Sequence, residues 1–154
     1  MEQAKAQAMR LLRYRARTER ELRQRLAARG VAARIVAETI SALRAVRLVD
    51  DRAFAEAWVE SRLRLRPTGS AGLRWELRQK GVADELAREV IAKALTEEQE
   101  RDLARQLVEK SLRGVAYCDR AVLGRVTRLL RRRGFSADAI AQAVPPYRGE
   151  DLTA

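Results

Sequence analysis

Residues 72–91 read GLRWELRQKGVADELAREVI, and the glycine near the middle of this stretch organises the whole chain. Before Gly81, Leu73 and Leu77 stand four residues apart, which puts both on one face of a helix. After it, Leu86–Ala87 and Val90–Ile91 are the apolar pairs of a second amphipathic helix. A helix ends readily with glycine in the left-handed conformation, and the apolar residue that follows packs back on the last turn. Val82 is placed to do this, while Lys80, just inside the end, faces the negative pole of the helix dipole. The stretch reads as helix, glycine corner, helix.

The same pattern stands at 21–40, ELRQRLAARGVAARIVAETI, and at 125–144, RVTRLLRRRGFSADAIAQAV. Gly30, Gly81 and Gly134 coincide at offsets of 51 and 53 residues. Each follows a basic residue (Arg29, Lys80, Arg133) and precedes an apolar one (Val31, Val82, Phe135). Leu22, Leu73 and Val126 coincide, as do Leu26, Leu77 and Leu130, and their spacing assigns them to the core. The second-helix stripe recurs as Ile35–Val36 with Thr39–Ile40, and as Ala139–Ile140 with Ala143–Val144 before Pro145–Pro146 stops it. A period of this length marks a repeat protein.

A further amphipathic helix precedes each unit. In the first it carries Ala8, Met9, Leu11 and Leu12 and closes before Thr18; Thr18–Glu21 reads as a capping box opening the next helix. In the second, Asp50 is the expected N-cap, and Phe54, Ala57, Trp58 and Leu63 the expected buried face, before Pro67–Thr68–Gly69. In the third, Thr96–Gln99 reads as a capping box followed by Leu103, Leu107 and Val108. The expected architecture is all-α: three tandem three-helix repeats, 1–48, 49–95 and 96–154, in an elongated, curved array. The segment after Tyr147 is expected to be loose.

Net charge is +11, and the chain contains no histidine and one cysteine. An internal disulfide is excluded, and the commonest metal ligand and general base is missing. No apolar run spans a bilayer and no signal-peptide pattern stands at the start, so a cytoplasmic protein with no membrane association is expected. The excess charge points to a polyanion or an acidic protein surface. It is uneven: residues 1–48 hold 12 basic and 4 acidic residues, a net +8, against +1 in 49–95 and +2 in 96–154.

No phosphate-binding loop, dinucleotide fingerprint or metal-ligand cluster is present, so neither catalysis nor a cofactor or metal is expected. Asp50–Asp51 is better read as helix capping than as an acid/base pair, because adjacent helical residues face different ways. Gly69–Ser70–Ala71–Gly72 has the GxxG spacing of a nucleic-acid clamp, but a loop ending in a Ser70 N-cap suffices. Cys118 reads as structural rather than nucleophilic.

Four ordered motifs resemble the RecX family: Arg15–Leu22, Val49–Ala55, Glu76–Gly81 and Leu130–Phe135. Together they span most of residues 8–144. The chain departs from the family in carrying Arg47–Leu48 where a glycine often precedes the hydrophobic residues before the aspartates. The resemblance implies a regulator of the RecA recombinase that binds RecA filaments on DNA, in the groove or at the growing end. Such a protein restrains ATP hydrolysis, strand exchange and the SOS response.

Arg13, Arg15, Arg17, Arg20, Arg23 and Arg25 are the expected electrostatic surface, with Arg74, Arg78, Arg128, Arg131 and Arg132 as extensions. Solvent exposure is expected for the arginines around the Thr18 turn. Arg29, Lys80 and Arg133 are divided evenly between helix-end pairing and partner contact. A monomer that binds single- or double-stranded DNA weakly through phosphates is expected. The rival reading is an independent basic helical nucleic-acid-binding module.

Overall fold

The computed structural model describes residues 1–147; the segment expected to be loose lies outside them. Among the described residues there are nine α-helices and no strand: α1 Glu2–Tyr14, α2 Glu19–Ala27, α3 Ala33–Ala45, α4 Asp51–Leu65, α5 Ser70–Lys80, α6 Asp84–Ala94, α7 Glu97–Leu112, α8 Arg120–Arg132 and α9 Ala137–Ala143. They form three successive helix triplets, as the repeat predicts.

The glycine corners end α2, α5 and α8 by one mechanism. Gly30, Gly81 and Gly134 have φ of 79°, 90° and 71°. At each corner the glycine N–H donates three residues back and the next N–H donates five back: Gly30 to Ala27 and Val31 to Leu26, Gly81 to Arg78 and Val82 to Leu77, Gly134 to Arg131 and Phe135 to Leu130. This is the Schellman arrangement, which satisfies carbonyls a helix end would otherwise orphan. Arg47 at φ 56° builds a fourth such corner after α3, with Arg47 N–H donating to Arg44 and Leu48 N–H to Leu43.

The chain divides into two compact units, the first comprising Met1–Val59 with Glu76–Val90, the second Glu60–Trp75 with the chain from Ile91 onward. In the first, Ala8, Leu11, Leu22, Leu26, Val36, Ile40, Leu43 and Val49 form one cluster, with Leu12 and Val31 packed against it. Leu22 and Leu26 are fully buried, each stabilising the fold by roughly 1.5–3 kcal/mol relative to exposure. In the second, Ala104, Leu107, Val108, Val126, Leu130, Phe135, Ala139 and Ile140 do the same. Of the expected second-helix stripes, these clusters hold Val36 and Ile40 of the first repeat and Ala139 and Ile140 of the third, with Ala143 and Val144 packed against the latter; Ile35 is only half-buried and lies outside them.

Several expectations need correction. On α4 the buried residues are Phe54, Ala55 and Val59; Ala57 is exposed, and Trp58 and Leu63 are half-buried. Met9 is exposed. Thr18 caps α2 by accepting from the Glu21 N–H, but the reciprocal half of the box is absent, because the Glu21 carboxylate is engaged by arginines. Thr96 and Gln99 form the complete box on α7, and Asp50 caps α4 through the Ala53 N–H. Ser70 is the first residue of α5 and not its cap. Cys118 is exposed, in the connector before the Asp119 cap of α8.

Candidate functional site

Two equivalent joints, one in each unit, set the N-terminal end of one second helix against the glycine corner of the next repeat's second helix. In the first unit the Thr18 hydroxyl donates to the Lys80 carbonyl and Arg20 donates to the Gln79 carbonyl at 3.1 Å. Arg20 covers Gly81 so closely that a Cβ there would lie 2.6 Å from its own. In the second unit the Gly69 N–H donates to the Arg133 carbonyl at 2.8 Å and the Gly72 N–H to the Gly134 carbonyl at 3.4 Å. A Cβ on Gly69, Gly72 or Gly134 would strike backbone across this contact. The GxxG spacing therefore serves close backbone approach. Each joint also sets the positive end of one helix dipole against the negative end of another.

A carboxylate from the following repeat completes each joint. Asp51 accepts the Glu19 N–H at 2.9 Å, at the first turn of α2. Burial raises the Asp51 pKa, and the Glu19 and Asp50 carboxylates add to the rise while the Glu19 N–H and Arg44 oppose it. Glu100 is buried and accepts from the Ser70 N–H, the Ser70 hydroxyl and the Ser136 N–H at 3.0–3.2 Å. Neither role is visible in sequence spacing, since the partners lie 30–36 residues away.

The expected arginine surface sorts into two classes. Arg15 and Arg17 both pair with Glu21, and Arg17 also donates to the Leu11 carbonyl. The Arg17 side chain is only 10% exposed, so the expectation of solvent exposure fails there. Burial alone would raise the Glu21 pKa, but the two guanidiniums outweigh it and the net shift is downward. Arg23 pairs with Glu19 at 2.6 Å, and Arg20 belongs to the joint. Arg78 reaches Asp84 at 3.6 Å, and Arg74 is half-buried.

By contrast Arg13 and Arg25 in the first unit, and Arg128, Arg131 and Arg132 in the second, are exposed with no ion-pair partner among the described residues. Arg10 and Arg47 are equally free, although charge pattern alone does not single them out. The three residues before the corner glycines also separate. Lys80 lies over the Trp58 ring, 5.1 Å from its centroid; Arg133 donates to the Pro67 carbonyl; Arg29 is exposed. Among the described residues no group of three or more His, Cys, Asp or Glu is arranged to hold a metal, and no helix is long and apolar enough to cross a membrane.

Glycine-cornered helix triplets repeated in tandem and joined helix end to helix end define an all-α repeat protein. Three family models match in chain order: RecX, first three-helix domain, at residues 4–43; RecX, second three-helix domain, at 50–91; and RecX, third three-helix domain, at 97–144. The chain belongs to the RecX family. It is 39% identical over 145 residues to the Regulatory protein RecX of Mycobacterium avium, covering 93% of this chain and 83% of that protein. It is 40% identical over 137 residues to the Regulatory protein RecX of Streptomyces coelicolor, covering 88% and 72%. Among solved structures, RecX from Lactobacillus salivarius shares the fold with a TM-score of 0.82 at 23% identity, over 93% of each chain. A second regulatory protein RecX structure gives 0.80 at 25% identity, over 92% of this chain and 71% of that one.

Proposed function

We propose that the chain is a non-enzymatic regulator that binds RecA filaments assembled on DNA and restrains RecA ATPase, strand exchange and SOS activity. The observation that carries the proposal is the unbroken series of three RecX domains built on a first repeat of net charge +8. A RecA nucleoprotein filament presents phosphate together with protein surface, and free guanidiniums such as Arg13 and Arg25 suit both. The protein acts as a cytoplasmic monomer with no cofactor.

The test is RecA ATP hydrolysis on single-stranded DNA with and without the protein. A concentration-dependent fall is expected; a rate unchanged at saturating protein, with no association detectable by co-sedimentation, removes the proposal. The unpaired Arg128, Arg131 and Arg132 on α8 favour a second reading, an independent module that grips nucleic-acid phosphates. Tight binding to DNA without RecA, with log affinity falling steeply against log salt, distinguishes that reading.

A further inference from the structure

The repeat carries three glycine corners, and two of them are covered. Arg20 and the Thr18 hydroxyl cover the Lys80–Gly81 corner, while Gly69 and Gly72 cover the Arg133–Gly134 corner. In both cases the cover is the first turn of a helix, and the acceptor is the carbonyl of the residue just before the glycine. The Arg29–Gly30 corner has the same backbone, with the same pair of corner hydrogen bonds and φ of 79°. Nothing lies within 4 Å of a Cβ built on Gly30, and Ala27, Ala28, Arg29 and Gly30 are all exposed.

We propose that the Arg29–Gly30 corner is a third copy of this joint and receives the N-terminal turn of a helix from the partner protein. The two filled joints state the occupant's chemistry. The occupant has a small or hydroxyl-bearing cap, like Gly69 or Thr18, that donates to the Arg29 carbonyl. Its first turn is acidic, because Arg25 and Arg29 at the corner are unpaired cations that would repel the bare positive end of a dipole. Of the two occupants α2 has this character, with Thr18 followed by Glu19 and Glu21, whereas α5 has no acidic residue in its first turn and is met there by the carboxylate of Glu100. The inference rests on the reading of the chain as a RecA-filament regulator, and places the contact on protein rather than on phosphate.

The test uses the full-length protein, wild type and Gly30→Asn, against RecA–single-stranded DNA filaments and against the same DNA alone. Asparagine tolerates the left-handed conformation, and space for its side chain is open, so the thermal midpoint is expected to stay near that of wild type. Filament affinity is expected to fall by about tenfold or more, with affinity for bare DNA unchanged. A second arm attaches a photo-crosslinker to the thiol introduced by Ala28→Cys in a Cys118→Ser background, where crosslinks are expected in a helix first turn of RecA containing Asp or Glu. Wild type and Gly30→Asn binding filaments alike, or crosslinks confined to DNA, would overturn the corner's role and leave the regulatory reading intact. Absence of wild-type filament binding would overturn both.

Discussion

Arg17 lies at the centre of a small ionic network, with Glu21 on one side and the Leu11 carbonyl on the other. Truncating a mostly buried cation leaves its partners short of a donor, which costs about 1–3 kcal/mol. Arg17→Ala is therefore expected to lower stability by that amount in urea titration, whereas Arg25→Ala, exposed and unpaired, should stay within about 0.5 kcal/mol of wild type. The same network predicts a pH dependence. The Glu21 pKa is lowered in the folded protein, so its stabilisation is fully present above the ordinary glutamate value of about 4.3 and is lost as pH falls through the lower folded value. Glu21→Gln should flatten this acid limb of a stability–pH curve; an unchanged limb would mean that Arg15 and Arg17 do not hold the carboxylate. At Arg47, φ of 56° costs a side-chain-bearing residue about 1–2 kcal/mol. Arg47→Gly should recover about 1 kcal/mol of this as a raised thermal midpoint, after glycine's greater unfolded-state entropy is set against it.

For the helices, the three corners give a graded experiment. Gly30→Ala bears only the left-handed penalty, about 1–2 kcal/mol. Gly81→Ala adds a clash with the Arg20 side chain, which can shift in part, and Gly134→Ala adds a clash with the Gly72 backbone, which cannot. Melting midpoints should fall in that order, and equal losses at all three would mean that the joints are loose. The corners are legible in the sequence because a 51- to 53-residue offset aligns glycine, basic neighbour and apolar follower three times. The buried face of α4 is not. Apolar residues run almost continuously from Ala53 to Val59, so periodicity selects no stripe, and the helix supplies 51–59 to one unit and 60–65 to the other. Likewise the backbone contact of Gly69 and Gly72 with Gly134 leaves no mark on hydrophobic patterning.

Across the whole molecule, charge counting locates the basic first repeat but cannot separate its paired arginines from its free ones. Part of the signal is present, since Arg17–Glu21 and Glu19–Arg23 are i,i+4 pairs. The reach of Arg20 to Gln79 and the burial of Glu100 come from tertiary packing and have no local signature. Reversing Arg13 and Arg25 to Glu should therefore weaken filament binding about tenfold or more, leave the melt unchanged and reduce the salt slope; retained inhibition of RecA would place the contact elsewhere. The Gly69–Gly72–Gly134 contact also constrains how this lineage can change. A methyl added on either side forces the same gap open, so once one alanine is present a second on the opposite face meets little further clash, and at Gly134 bears mainly the left-handed penalty. Gly69→Ala with Gly134→Ala should be less damaging than the sum of the single changes, with a coupling of about 0.5–3 kcal/mol. Losing the joint takes one mutation, whereas after a second has been tolerated, regaining it takes two, and neither reversal alone restores the fit. Descent through such a contact behaves as a ratchet, which gives natural selection reason to hold all three glycines together.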